Sequence, residues 1–256
     1  MLLQMRSALG DAYKSGVQKT RVISEDWAEA NLYCPACPSD VLQRQAANSK
    51  SLDFKCPECS SRYELKSSLH KFGGCIPDGA YGAMRSTIEG GRTPNLFALH
   101  YNLANWTVEN LSLVPSFAFT LSCLQERPPL APTARRHGWV GCNILLRNIP
   151  QDARISVVEK GIAESPAKVR GQFRKLQPLS KLDVTQRGWT LDVLKVVRSL
   201  RRDEFKLDEV YQHADQLQTL HPNNRHIRDK IRQQLQVLRD LGLLSFVDSK
   251  GTYRIV

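Results

Sequence analysis

The segment DFKCPECSSRYELK, residues 53–66, places a cysteine pair between two acidic positions. A second pair, CPAC at residues 34–37, is separated from Cys56 by 18 residues. The spacing C-x2-C-x18-C-x2-C is typical of a structural zinc site, because each two-residue interval turns tightly and aims both thiolates at one tetrahedral ion. Four sulfur ligands leave no position for a catalytic water. The sequence therefore predicts structural Zn²⁺ on Cys34, Cys37, Cys56 and Cys59.

The same segment carries a pattern suited to phosphodiester hydrolysis. Glu64 and Lys66 lie on a predicted strand and point to one face, because side chains alternate with a period of two. Asp53, which ten residues separate from Glu64, can supply a second carboxylate from a neighbouring strand, so that the two acids hold Mg²⁺. The ion and Lys66 would then stabilise the attacking water and the charge on the phosphate. A solvated strand face is the alternative.

Composition and charge favour a partner that is a polyanion. The 256 residues are 41% apolar and carry a formal charge of +11. Residues 183–256 hold 13 Lys and Arg against 10 Asp and Glu, a charge of +3, which leaves +8 for residues 1–182. Both parts are positive, as expected if both touch DNA, although many basic proteins bind no nucleic acid.

Several sequence features indicate where the protein works. No stretch of about 18 apolar residues predicts a membrane span, and the first residues lack a secretory signal. Paired cysteines in a C-x2-C arrangement fit a reducing compartment. We therefore expect a soluble protein of the cytoplasm, with no membrane partner and no obligate protein partner. The isolated cysteines, which are Cys75, Cys123 and Cys142, are interpreted as small core residues.

The chain divides into two predicted domains at the linker PLSKL, residues 178–182. Residues 1–182 mix helical and strand-like segments and form the predicted nuclease domain with the cysteine knuckles. Its helices are predicted at residues 11–33 and 78–88, and its strands at residues 51–54, 62–65, 95–101 and 106–114. The expected fold class is mixed, α+β or α/β.

Residues 183–256 follow the order of a winged helix, which is three helices and then a β-hairpin. The predicted helices are residues 189–200, 207–217 and 225–241, with an asparagine cap before the third and Gly242 after it. Residues 243–247 and 252–256 alternate as strands about a turn at residues 248–251. This domain is predicted to bind DNA.

The third of these helices carries arginines beside its apolar face. On a helical wheel, Arg225, Arg228, Arg232 and Arg239 fall within one 60° sector, next to the sector of apolar residues. A stripe of this kind on a third helix favours DNA contact over a merely solvated face. Asn223, Asn224 and the first helical turn would lie nearest the base edges.

Two tryptophans and a basic loop complete the predicted DNA contacts. Trp139 follows Arg135 and Arg136 in a loop. A large ring at such a position either stacks on the DNA or packs in a small hydrophobic cluster. Trp189 begins the first C-terminal helix, where a core position is the commoner alternative to a DNA contact.

Asp53 lies before the second cysteine pair, and Glu64, Leu65 and Lys66 lie after it. In this pattern the chain resembles the PD-(D/E)xK nucleases. More narrowly it is similar to the DpnI-like methyl-directed restriction endonucleases, in stretches that run along both domains. They include YCP (33–35), ELKS (64–67), DGAY (78–81), PLAPTARR (129–136), GCNI (141–144), RGWT (187–190) and KIRQQL (230–235). Leu52 stands where the wider superfamily has proline.

The resemblance implies a type II, methylation-dependent endonuclease acting on double-stranded DNA at G-A-T-C sites with N6-methyladenine. It implies that Mg²⁺ is held by Asp53, Glu64 and the backbone carbonyl of Leu65, that Lys66 is the third catalytic group, and that both domains read methylated DNA. The rival hypothesis is a zinc-ribbon and winged-helix transcription regulator that binds DNA without cutting it. A damage-directed repair nuclease would share the acids and the lysine but not the methyl dependence.

Overall fold

A computed structural model describes residues 1–46, 52–247 and 251–256 of the chain. The helices are α1 (Gly16–Asn31), α2 (Tyr81–Glu89), α3 (Pro166–Leu176), α4 (Val184–Ser199), α5 (Leu207–Tyr211), α6 (Ala214–Leu220) and α7 (Ile227–Asp240). The strands are β1 (Gln43–Arg44), β2 (Phe54–Lys55), β3 (Arg62–Ser68), β4 (Ile76–Ala80), β5 (Asn95–Asn102), β6 (Thr107–Val114), β7 (Leu124–Glu126), β8 (Gly141–Ile144), β9 (Ile155–Glu159), β10 (Ile162–Ala163), β11 (Glu204–Lys206), β12 (Leu244–Phe246) and β13 (Thr252–Ile255). Among the helices in these ranges, none is both long and apolar enough to cross a bilayer.

The chain forms two compact units, each assembled from three separate segments. The first unit comprises Met1–Gly73, Thr93–Ser116 and Asp152–Arg174. The second comprises Gly74–Arg92, Phe117–Gln151 and Lys175–Val256. Parts of the chain far apart in sequence therefore share a core within each unit.

The first unit is built on a mixed sheet with the order β1-β2-β3-β5-β6-β9-β10 over the described residues. Strands β3 and β5 are parallel and the other pairs are antiparallel. The hairpin between β9 and β10 turns at Lys160 and Gly161, whose φ angles are +50° and +73°. Two successive positive φ angles match the twist of a two-residue hairpin, and the glycine adopts such an angle without strain.

The two faces of this sheet differ in character. One face carries large buried rings, and Tyr63 stacks on Phe97 with ring centroids 5.5 Å apart. Helix α1 covers this face, since Thr20 Oγ1 lies 2.7 Å from the Tyr101 hydroxyl. Because side chains alternate along a strand, Glu64 and Lys66 of β3 project from the opposite face.

The second unit contains a small sheet and the predicted winged helix. The small sheet has the order β4-β8-β7, and the C-terminal sheet has the order β11-β13-β12. Helix α4 begins at an Asp183 cap, whose side chain accepts a hydrogen bond from the Gln186 N–H. Helices α4 and α7 pack together through apolar side chains and through a buried hydrogen bond between Thr190 and Gln234. Gly242 follows α7 with a φ of +74°, as an αL cap requires.

The predicted fold class is confirmed, and the boundaries of several elements are corrected. Residues 78–80 continue β4 rather than opening α2, because they pair with β8. Helix α4 begins at Val184 instead of residue 189, and a 3₁₀ turn at Gln177–Lys181 occupies the predicted linker. The predicted helix 207–217 is divided into α5 and α6. Ser51 of the predicted strand 51–54, and residues 248–250 of the predicted turn, lie outside the described residues.

Candidate functional site

The four predicted zinc ligands meet in one cluster. Their sulfur atoms all lie within 4.8 Å of one another. The Sγ atoms of Cys34 and Cys59 are 3.6 Å apart, and those of Cys37 and Cys56 are 3.5 Å apart. Tetrahedral coordination with a Zn–S distance of about 2.3 Å requires sulfurs about 3.8 Å apart. The donor set and its spacing are therefore compatible with a structural zinc ion.

Backbone groups set the conformation of the second knuckle and lower the pKa of Cys56. The N–H of Cys56 donates to the Ser61 carbonyl, and Ser60 turns the chain with a φ of +60°. Burial raises the pKa of the Cys56 thiol, but the backbone N–H groups of Cys59 and Glu58 outweigh it and lower that pKa to about 7. A thiol with a low pKa is easily deprotonated, and only the thiolate binds zinc.

One arginine of α3 holds the first knuckle. The Arg170 guanidinium donates to the backbone carbonyls of Cys34, Pro38 and Ser39 at 2.8–3.0 Å, and to the Asp40 carboxylate at 2.9 Å. Three carbonyl acceptors around one rigid, planar donor set the path of the loop that carries Cys34 and Cys37. The sequence analysis missed Arg170, because its partners lie about 130 residues earlier and no local motif marks it.

The structure brings the three predicted catalytic residues together at the middle of β3. Asp53 is the residue before β2, and its backbone N–H donates to the Tyr63 carbonyl at 3.0 Å. Its side-chain Oδ2 accepts a hydrogen bond from the Leu65 N–H at 2.8 Å. The Asp53 carboxylate thus sits beside the residue that separates Glu64 from Lys66.

Glu64 and Lys66 contact each other on the same face of the strand. The Lys66 Nζ lies 2.6 Å from Glu64 Oε1, and both side chains are partly buried, 27% and 15% exposed. Carboxylate oxygens are ligands that suit Mg²⁺, and Asp53 and Glu64 each offer one carboxylate beside Leu65. A lysine beside them can stabilise negative charge on a phosphate.

The predicted basic loop between β7 and β8 is held in a defined conformation. The Leu130 N–H donates to the Trp139 carbonyl, and the Gly138 N–H donates back to the Leu130 carbonyl, at 3.0 and 3.1 Å. The Arg136 guanidinium lies 4.7 Å from the centre of the Trp139 ring. Arg135 and Arg136 are exposed, and the Trp139 ring is half-buried. The loop therefore presents two cations beside an aromatic ring.

Three of the four arginines predicted to contact DNA, in and just before helix α7, are exposed to solvent. Arg225, just before the helix, is exposed, as are Arg228 and Arg232. Arg239 is half-buried, with its guanidinium over Phe246 and paired with Asp240. The apolar face of α7 is buried, so the division into two sectors is observed.

The segment before α7 places the two predicted asparagines differently. Asn223 is exposed, whereas Asn224 is half-buried. The Asn224 side chain accepts a hydrogen bond from the His226 N–H at 2.8 Å, one residue before α7 begins. Asn224 thus shapes the entry to the helix, and Asn223 is the more accessible of the two.

The structure places Trp189 in the interior, which favours the core alternative for this residue. Its ring is 5% exposed and stacks on His221, with centroids 3.6 Å apart. His221 Nε2 lies 2.9 Å from the buried carboxylate of Asp192, which also accepts a hydrogen bond from Ser122. The sequence analysis missed this network, because its members are 29 and 70 residues apart.

The isolated cysteines fall into two groups. Cys123 and Cys142 are buried as predicted, and burial raises the pKa of Cys123 to about 11. Cys75 is exposed, so the prediction of a core position is wrong for it, because the chain there runs over the surface before β4.

Two family models match the chain. The model described as DpnI, Dam-replacing family, matches residues 1–182. The model described as DpnI_C, Dam-replacing HTH domain, matches residues 185–255. The first match spans the cysteine cluster and the acidic centre, and the second spans the recognition helix.

Proposed function

Because the chain belongs to the Dam-replacing DpnI family, whose members are nucleases, we propose that it is a type II, methylation-dependent restriction endonuclease. Its proposed substrate is double-stranded DNA with N6-methyladenine at G-A-T-C sites. The observation that carries the proposal is the Asp53 carboxylate on the Leu65 N–H, between Glu64 and Lys66. A protein that only bound DNA would have no use for this arrangement.

The proposed catalytic residues are Asp53, Glu64 and Lys66, with the Leu65 carbonyl as a further metal ligand. When bound, Mg²⁺ supplies a Lewis acid for the scissile phosphate and lowers the pKa of a bound water. The Leu65 N–H orients the Asp53 carboxylate by its hydrogen bond. Lys66, held by Glu64, places a positive charge where negative charge develops on the phosphate oxygens.

We propose that the DNA is contacted from two surfaces. Asn223 and the exposed Arg225, Arg228 and Arg232 would enter the major groove, where the N6-methyl group protrudes. Arg135, Arg136 and Trp139 would supply the second contact, through phosphate pairing and an aromatic face. The positive charge of both parts of the chain supports this arrangement.

The proposed domain boundary lies between Leu182 and Asp183. The two family matches end and begin at residues 182 and 185, which supports it, and the Asp183 cap starts a helix there. The proposed structural metal is Zn²⁺ on the four clustered cysteines. As an enzyme of bacterial DNA restriction, the protein would act in the cytoplasm.

One plasmid assay tests the proposal. The same plasmid is prepared from an adenine-methylating host and from a host without that activity, and each is incubated with the protein, first with Mg²⁺ and then with a chelator. We expect the methylated plasmid to be cut in Mg²⁺, and the other three combinations to remain intact. Cut ends should map to G-A-T-C.

The alternatives give different outcomes. Retarded but uncut DNA in all four reactions would favour a transcription regulator and would remove the nuclease proposal. Equal cutting of both plasmids, increased by DNA damage, would favour a repair nuclease and would remove the methyl dependence.

A further inference from the structure

Tyr63 lies at the point where the cysteine cluster meets the catalytic strand. It is the residue before Glu64 on β3, and its side chain is 0% exposed. Its ring stacks on Phe97 of the adjacent strand β5, which fixes the direction of the side chain. The ring has a structural role in the core, but the position of the hydroxyl needs a separate explanation.

The hydroxyl contacts a zinc ligand. The Tyr63 hydroxyl oxygen lies 3.1 Å from Cys34 Sγ, and both atoms are buried. A cysteine that binds zinc does so as a thiolate and has no proton to give. In the metal-bound state Tyr63 must therefore be the donor of this hydrogen bond.

The backbone of the same residue contacts the acidic centre. The Tyr63 carbonyl accepts the Asp53 N–H at 3.0 Å, and Phe54 pairs with Tyr63 in the antiparallel ladder of β2 and β3. One residue thus bonds to a cysteine ligand through its side chain and to a catalytic acid through its carbonyl. The next residue in the chain is the second acid, Glu64.

We propose that Tyr63 is a positioning residue that couples the zinc cluster to the catalytic acids through its hydroxyl. The hydrogen bond to Cys34 fixes the start of β3 relative to the cysteine cluster. Because Asp53 bonds to the Tyr63 carbonyl and Glu64 is the next residue, the same bond also fixes where the two acids lie. Donors to a metal ligand usually set both its orientation and the affinity of the site. This inference rests on the proposed function for its catalytic part, and on the cysteine cluster alone for its metal part.

The test uses the full-length Tyr63→Phe variant, which keeps the ring and its packing on Phe97. We expect the variant to bind zinc about 10- to 100-fold more weakly in competition with a chelator, and to lose it faster. This is the range typical of a lost hydrogen bond to a metal ligand. In protein loaded with Co²⁺, the thiolate-to-metal absorption band should shift. In single-turnover cleavage of methylated plasmid by the zinc-saturated variant, the cleavage rate should fall while the affinity for DNA is unchanged.

Tyr33→Phe is the matched control. Tyr33 is also buried, precedes Cys34 directly, and its hydroxyl has no hydrogen-bond partner among the described residues. Its loss should change neither the chelation rate nor the cobalt spectrum. Chelation and cobalt spectra of Tyr63→Phe equal to those of wild type and Tyr33→Phe would overturn the inference.

The metal readouts also separate this inference from the proposed function. If the wild-type protein fails to cut DNA while Tyr63→Phe releases zinc faster, the coupling of Tyr63 to the metal stands and the nuclease proposal fails. If the wild type cuts methylated DNA and Tyr63→Phe loses zinc faster but, when zinc-saturated, cuts equally fast, the nuclease proposal stands and the transmission to the acids is refuted.

Discussion

At the scale of single residues, the chemistry of the acidic centre depends on short contacts that the sequence pattern only outlines. The spacing of Asp53, Glu64 and Lys66 predicted that they could meet, and the structure brings them together around the Leu65 N–H. Lys66 is the clearest test, because its only proposed task is to stabilise charge in the transition state.

We expect Lys66→Ala to lower the rate of cleavage by at least about 100-fold, the loss typical of removing one group that stabilises transition-state charge. Its affinity for methylated G-A-T-C duplex should stay within about threefold, because Lys66 is not needed to read bases. Plasmid cleavage and gel-shift titration on the same preparation measure both quantities.

Lys55→Ala is the matched control, since it removes an exposed lysine from the neighbouring strand β2. It should cut at the rate of the wild type. Undiminished cleavage by Lys66→Ala would remove that residue from the mechanism.

The residues that support the site could not be predicted in the same way. Arg170 reaches the first knuckle from α3, and the Tyr63 hydroxyl reaches Cys34 across 29 residues of sequence. No periodicity or motif encodes such contacts, because they depend on how distant segments pack. Sequence spacing therefore predicted the ligands and the acids, and left out the groups that orient them.

At the scale of elements, the two knuckles combine a metal site with a hairpin. Cys56 lies three residues after Asp53, and the second knuckle connects β2 to β3. The edge of the sheet next to β3 consists of β1 and β2, and such two-residue strands contribute few ladder hydrogen bonds. A bound metal would supply the stability that this edge lacks.

We expect Cys56→Ser to lose zinc and to unfold at a lower temperature than the wild type. Structural zinc contributes apparent binding energies of roughly 10–16 kcal/mol in small modules, and one missing thiolate forfeits much of this. Zinc content per chain and the melting temperature are the measurements.

Cys75→Ser provides the control, because Cys75 is exposed and lies outside the cluster. Its zinc content and melting temperature should equal those of the wild type. A Cys56→Ser protein with full zinc occupancy and an unchanged melting transition would contradict the assignment of the site.

The loop between β7 and β8 offers a second test at this scale. A Cβ atom on Gly141 would lie 2.8 and 2.9 Å from two ring atoms of Trp139. Because an indole is rigid, Gly141→Ala should force the ring to move, shift the tryptophan fluorescence and weaken binding of methylated duplex by about tenfold.

Gly171→Ala is its counterpart on α3, where the added Cβ meets no atom within 4 Å. That change should leave DNA binding unaffected and stabilise the helix slightly. Wild-type affinity in a Gly141→Ala protein whose fluorescence has shifted would exclude Trp139 from the DNA contacts.

The predicted elements were correct where local patterns dominate and wrong where pairing with distant strands decides. The aromatic and β-branched segments at 95–101 and 106–114 form β5 and β6 as predicted. Residues 78–80 joined a sheet because β8, 61 or more residues later, supplies the hydrogen-bond partners. Helix α4 begins at the Asp183 cap, which an apolar pattern that starts at Trp189 does not reveal.

At the scale of the whole molecule, the strength of the proposed preference for methylated DNA depends on how many methyl groups are read. Burying one methyl group contributes about 0.8 kcal/mol. If both domains read both methyl groups of a palindromic site, the preference is about 3 kcal/mol, or about 200-fold. If only one domain reads both methyl groups, the preference is about 15-fold.

We expect the full-length protein, in Ca²⁺ to prevent cleavage, to bind doubly methylated duplex about 200-fold more tightly than unmethylated duplex. A hemimethylated duplex should fall between them, near 15-fold. Titrations at one fixed salt concentration give the three affinities, since phosphate contacts make each of them depend on salt.

An unmethylated duplex with the G-A-T-C sequence scrambled is the reference for non-specific binding. A total preference near 15-fold would indicate that only one of the two domains reads the methyl groups.

The second unit is assembled from segments that leave the ribosome at different times. Ser122 and Asn148 are synthesised well before Asp192 and Lys195, the side chains that bond to them. Residues 117–151 therefore complete their core only after α4 is synthesised, whereas the described strands of the first unit's sheet all lie before residue 164. In a nascent chain the sheet that carries Glu64 and Lys66 would thus form before the second unit, with its helix α7, is complete.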